Sequence, residues 1–197
     1  MRTPFKLGLT GSIGMGKSTT AAMFAGKGIP VWDADATVHR IYARGGAAVV
    51  GIAALCPDAV KDGAVNRAAL KSWIARDTTA LAKLEAVVHP LTTADRADFL
   101  AQTGSDIALF DIPLLFETGI DLQMDATLLV TAPAVLQHSR VLQRPGMTEA
   151  QFQLILQRQM PDAEKRARAT HIVETLDLAS VRAYVNALLS HIRSKHA

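Results

Sequence analysis

Residues 8–18 read Gly8-Leu9-Thr10-Gly11-Ser12-Ile13-Gly14-Met15-Gly16-Lys17-Ser18, and this stretch decides the fold. From Gly11 to Ser18 it fills the pattern Gly-x-x-x-x-Gly-Lys-Ser/Thr, the Walker A phosphate loop. Glycines let successive backbone N–H groups curl around an anion, and a following helix turns its positive end toward it. The context agrees. Phe5-Lys6-Leu7-Gly8-Leu9-Thr10 reads as a buried strand, and Ser18 to Phe24 has helical composition. A chance glycine turn would not carry that flanking pattern. The expected phosphate contacts are Gly11, Ser12, Ile13, Gly14, Met15, Gly16, Lys17, Ser18 and Thr19. Lys17 is placed to reach the β and γ phosphates of a nucleoside triphosphate, and the Ser18 hydroxyl to ligate Mg2+.

Outward from the loop, Gly28 to Trp32 reads as a second short strand ending at Asp33. Residues 37–103 are mostly helical in composition, with one irregular patch at 57–63. Ile107-Ala108-Leu109-Phe110, closed by Asp111, and Ala126 to Val130 are apolar runs of strand length. Helical segments follow, broken at Arg144-Pro145-Gly146 and at Pro161. His171-Ile172-Val173 is a further short strand, and Val181, Val185, Leu188, Leu189 and Ile192 form one stripe of a closing helix. Strands alternating with helices imply an α/β class with a parallel sheet covered on both faces. We expect a three-layer P-loop fold in one domain. Residues 1–35 and 105–197 form the nucleotide-binding core, about 36–104 a helical substrate-binding insertion, and about 140–165 a lid.

Composition narrows the function classes. At 49% hydrophobic and 20% charged, the 197 residues suit an ordinary globular core and exclude disorder or a coiled coil. A formal charge of +3 favours a polyanionic small molecule, without the basic clustering of a nucleic-acid binder. The densest run, Lys165-Arg166-Ala167-Arg168, has Asp162 and Glu164 beside it and reads as a solvated helix face. Cys56 is the only cysteine, so no internal disulfide can form, as suits a reducing cytosol. No run is long enough to span a membrane, and Leu7 to Leu9 is too short for a signal-peptide core. A cytoplasmic protein with no nucleic-acid or membrane partner is expected, with a monomer favoured.

Several side chains outside the loop suit the chemistry. Asp33-Ala34-Asp35 follows the second strand, where ligands of doubly wound sheets sit. Carboxylates there can take a proton from a substrate hydroxyl, or simply cap a helix. Asp111 ends the third strand as a Walker B carboxylate would, near Mg2+. His89-Pro90 stops a helix, and His89 is either a surface residue or a substrate contact. Arg140 and Arg144 fall on one helix face, where they form a basic surface or steady transferring phosphate.

Together these residues resemble one family. The opening from Gly8 to Ser18, Asp33-Ala34-Asp35 at its distance from the loop, His89-Pro90 and Asp111-Ile112-Pro113-Leu114-Leu115-Phe116-Glu117 are similar to those of dephospho-coenzyme A kinases. Thr131-Ala132-Pro133, Arg140, Arg144, Gln159-Met160-Pro161 and Lys165-Arg166 continue the match, from about residue 7 to 175. The resemblance implies that ATP, with Mg2+, phosphorylates the 3′-hydroxyl of dephospho-coenzyme A, the last step of coenzyme A synthesis. It implies Asp35 as proton acceptor, Asp33 assisting, Lys17 and Arg144 as catalytic cations with Arg144 on the lid, and Ser18 and Asp111 as metal ligands. Substrate contacts fall on Thr10, Asp33, His89, Asp111, Leu114 and Arg140. The chain departs from the pattern at Thr93 and Ile155, where many members carry Arg, and at Thr170 and Thr175, where many carry Asp and Asn. Two other readings share the loop. A nucleoside monophosphate kinase would lack the paired Asp-Ala-Asp and Asp-Ile-Pro-Leu-Leu-Phe-Glu stretches. A GTP-dependent switch would carry Asn-Lys-x-Asp, which neither Asn66 nor Asn186 begins.

Overall fold

A computed structural model describes residues 3–196. The chain divides into two compact units, one holding residues up to Trp32 and from Thr103 onward, the other Asp33–Gln102.

The first unit is built on a sheet. Its strands are β1 (Phe5–Thr10), β2 (Val31–Asp33), β5 (Ile107–Asp111), β6 (Ala126–Thr131) and β7 (His171–Glu174), in the order β2-β5-β1-β6-β7. The pairings of β1 with β5, β1 with β6 and β6 with β7 are all parallel. Every residue of β5 and β6 is buried, as the continuous apolar runs require of strands covered on both faces. On one face α1 (Lys17–Ala25) and α9 (Leu178–His196) press Phe24, Val181, Val185, Leu188, Leu189 and Ile192 onto Leu7, Leu9, Leu109, Leu128 and Val130. The expected stripe on the closing helix is therefore the buried one. Toward the carboxyl ends of the strands lie α6 (Ala134–Leu142), α7 (Glu149–Leu156) and α8 (Asp162–Arg168). β1 sits between β5 and β6, so the chain leaving it enters the crevice where strand order reverses, the usual ligand position in such sheets.

The second unit holds α2 (Ala34–Tyr42), α3 (Ala48–Leu55), α4 (Arg67–Arg76) and α5 (Ala80–Gln102). Its own core is Ile41, Ala48, Ile52, Ala59, Leu70 and Leu84, with Val87, Val88 and Leu91 packed against it. The irregular patch is a 3-10 turn leading into a hairpin of β3 (Val60–Lys61) and β4 (Ala64–Val65), with Asp62 at φ 53° in its turn. Gly45 N–H donates to the Gly63 carbonyl and fixes that turn.

One expectation fails here. His89-Pro90 does not stop a helix, because α5 runs through it with Pro90 inside. Proline removes one backbone hydrogen bond, but Val87, Val88 and Leu91 hold both sides of it against the core. Among the described residues, no helix is long and apolar enough to cross a membrane.

Candidate active site

The phosphate loop connects β1 to α1. Gly14 and Gly16 have φ of 78° and 88°, a left-handed backbone that only glycine adopts cheaply. Gly16 is also the N-cap of α1, so the helix begins where the loop closes. Among the described residues no side chain caps that end, so its first N–H groups are open to an anion. Ser18 and Thr19 are exposed at this first turn.

Lys17 and Asp111 meet directly. Lys17 Nζ lies 2.5 Å from Asp111 Oδ1, and both side chains are largely buried. The sequence places both beside phosphate and metal, and the structure adds that they form an ion pair. Ser18 offers a hydroxyl and Asp111 a carboxylate. These are hard oxygen donors of the kind Mg2+ takes when phosphate oxygens and waters complete its shell. Among the described residues, no three or more His, Cys, Asp or Glu side chains gather where they could hold a metal ion.

Other predicted residues lie in the same unit. Thr10 is fully buried, and its hydroxyl donates to the Pro113 carbonyl at 3.1 Å, tying β1 to the turn after Asp111. Leu114 in that turn is 40% exposed. Arg140 donates to the Thr175 hydroxyl at 2.9 Å and to the Thr175 carbonyl. Thr175 in turn donates to the Met15 carbonyl at 2.9 Å, so the guanidinium is wired to the loop. Arg140 and Arg144 were expected on one helix face, but α6 ends at Leu142 and Arg144 lies in the following turn. Pro145 explains this, because a residue preceding proline is driven out of helical conformation. The two arginines still line one cavity of about 350 Å³, together with Gly14, Gly16, Thr19 and Thr175. A larger cavity, about 1150 Å³, opens at the other end of the sheet by Lys6, Asp106 and His171. No phosphate-loop residue lines it, and we give it no part in the chemistry.

The second unit carries Asp33, Asp35 and His89. Asp33 caps α2, its carboxylate accepting from Ala36 N–H at 2.9 Å. Asp35 is exposed in the first turn of that helix, and His89 is exposed on α5.

The basic run after Pro161 is a solvated face except at Lys165. Lys165 has 0% exposure, with Nζ 2.9 Å from Glu117 Oε1. A buried charge needs a partner, and Glu117 supplies it. The contact is an ion pair outside good hydrogen-bonding angles. Arg166 bonds to Asp162 and Glu174, which push its pKa up, and Arg168 pairs with Asp121. Gln137, Gln159 and Thr175 also touch the loop; Gln159 and Thr175 stand out in the sequence only through the family pattern, and nothing local ties any of the three to the loop. Their partners lie 124, 146 and 160 residues away, beyond any local pattern.

A parallel sheet with this strand order, a glycine loop closing on a helix, and a lysine paired with a strand-end carboxylate define a nucleotide-binding protein of the P-loop fold. A family model described as Dephospho-CoA kinase matches residues 5–178. A curated Dephospho-CoA kinase of Cereibacter sphaeroides is 69% identical over 190 residues, covering 96% of each chain. The chain belongs to the dephospho-CoA kinase family. A crystal structure of a Thermus thermophilus protein superposes with TM-score 0.87 at 34% identity, covering 96% of this chain and 98% of that one. Dephospho-CoA kinase from Campylobacter jejuni shares the fold, with TM-score 0.70 at 22% identity and 98% coverage of both.

Proposed function

We propose that this protein transfers the γ-phosphoryl group of Mg-ATP to the 3′-hydroxyl of dephospho-coenzyme A, giving coenzyme A and ADP. The observation that carries this reading is the unbroken loop Gly11 to Ser18 with Lys17 against Asp111, in a chain of this family.

The loop amides from Gly14 to Thr19 and the N-terminus of α1 hold the phosphates. Lys17 leaves Asp111 for the β and γ phosphates and balances the charge that spreads over them in the loose transition state. Ser18 and Asp111 would hold Mg2+, which would neutralise further phosphate charge. The cavity lined by Arg140, Arg144 and Thr175 adjoins the loop and takes the nucleoside end of ATP. Arg144, exposed in a turn, steadies the transferring group. Asp35 accepts the proton of the acceptor hydroxyl, and Asp33 orients the start of α2 by capping it. His89 and Leu114, both exposed, contact the acceptor.

The test offers the purified protein Mg-ATP or Mg-GTP with dephospho-coenzyme A, AMP, CMP or shikimate, and follows nucleoside diphosphate release. Dephospho-coenzyme A with ATP should be turned over far faster than any other pair. Faster turnover of AMP, CMP or shikimate would overturn the reading.

A further inference from the structure

Ile13 sits in the middle of the phosphate loop, and both of its backbone polar groups are held by side chains from outside the loop. Its N–H donates to Gln159 Oε1 at 3.1 Å. Its carbonyl accepts from Gln137 Nε2 at 2.8 Å, and Gln137 is itself buried on α6. The residue after Gln159 is fastened too. Met160 N–H donates to Glu117 Oε1 at 2.8 Å, and the fully buried Lys165 lies 2.9 Å from that same oxygen. Glu117 closes the stretch that begins at Asp111, the partner of Lys17. The turn between α7 and α8 thus bridges the loop that binds phosphate and the segment that carries the acidic strand end. All of these contacts lie within the first unit.

A loop that binds an anion with its amides works best when those amides are already aimed, because ordering them on binding costs affinity. Glycine supplies the required curvature but also gives the free loop other conformations. Something must select one. We propose that Gln159 is a positioning residue that presets the phosphate loop for ATP by holding the Ile13 amide, and that the Glu117–Lys165 pair holds Gln159 in place. The Ile13 N–H, occupied by Gln159, is then no phosphate ligand; it is the point from which the amides after it are oriented. A lysine with no exposure and a single carboxylate partner is an expensive way to fix a turn by packing alone, since apolar residues would do so without burying charge. The direct link from that turn to the loop gives the pair a purpose beyond packing.

The inference rests on the kinase reading only for the KM of the acceptor; its primary readout is ATP affinity, which needs no acceptor. Gln159→Leu keeps the side chain's approximate size and removes the acceptor. Binding of Mg-ATP, measured by titration calorimetry without acceptor, should weaken about tenfold, the worth of one hydrogen bond to an otherwise unpaired N–H. The KM for dephospho-coenzyme A should stay within about twofold and the melting temperature should change little. Lys165→Met should weaken ATP binding in the same direction. Gln159→Leu added to Lys165→Met should cost less than it does alone, because the two act through one bridge. If Lys165→Met does not fold, Gln159→Leu decides by itself. ATP affinity within twofold of the parent in a folded Gln159→Leu protein would overturn the proposal. So would a fall in melting temperature with ATP binding unchanged, since the bonds would then be only structural. Failure of the kinase reading would look different: the parent protein would bind Mg-ATP and phosphorylate no offered acceptor.

Discussion

Asp33 and Asp35 have one residue between them and differ in what each can be asked to do. Asp33 is engaged as the N-cap of α2, a role that asparagine fills about as well. Asp35 is exposed in the first turn. A ribose hydroxyl is a weak nucleophile that must lose its proton during transfer. Asp35→Asn keeps the shape and removes the base, so kcat should fall about 10²- to 10⁴-fold. The Mg-ATP dissociation constant should hardly move. Asp33→Asn should retain the cap and lose less activity. Steady-state kinetics of both variants beside ATP titrations decide the matter, and a larger loss in Asp33→Asn would reverse the two roles. At this scale the sequence was legible wherever chemistry is local. Gly11 to Ser18 is a contiguous pattern with one physical use, and Asp111 announces itself at the end of an apolar run. The bond of Gln159 to Ile13 spans 146 residues, and Lys165 looked like part of a solvated charge run because its neighbours are charged. Only the tertiary fold shows that α8 turns it inward.

Elements follow the same logic. The strands of the sheet were readable because burial on both faces makes them continuous apolar runs closed by polar residues, as at Ile107 to Asp111. Pro90 misled because a local rule about proline competes with tertiary packing, and Val87, Val88 and Leu91 on either side win. The two-residue strands β3 and β4 are too short to show any period. α7 is the element we expect to move. It opens with a capping box between Thr148 and Gln151, so it is well formed as a helix, yet only Phe152 on it is buried. The Arg144-Pro145-Gly146 break precedes it and Pro161 follows. A short, capped, weakly buried helix between two breaks is suited to closing over bound substrates as one body. Backbone amides of residues 147–158 should exchange hydrogen more slowly when ATP and acceptor, or a bisubstrate analogue, are bound. Equal exchange with and without ligand would count against a lid there.

For the molecule as a whole, acid sensitivity is one consequence of how the sheet ends. His171 opens β7, partly buried, with the His191 ring 6.2 Å away and Lys195 nearby on α9. Burial first, then electrostatic repulsion from the His191 and Lys195 side chains, holds its pKa below the ordinary 6.5. The folded protein therefore keeps His171 neutral where the unfolded chain takes up a proton. Stability contributed by neutral His171 is present above pH 6.5 and declines as pH falls from there to the lowered folded-state value. The melting temperature should drop across that window, and His171→Gln should flatten the drop; an unchanged slope in the variant would place the acid sensitivity elsewhere.

What sets this enzyme apart is the bond it makes, and the product itself reports that bond. The protein is incubated with Mg-ATP and dephospho-coenzyme A, and the product is examined by mass spectrometry and ³¹P NMR. The acceptor should gain one phosphoryl group, with a new phosphomonoester resonance assigned to the ribose 3′ position and one ADP formed for each. ADP formed with the acceptor recovered unchanged, or phosphate found at another position, would contradict the proposed function.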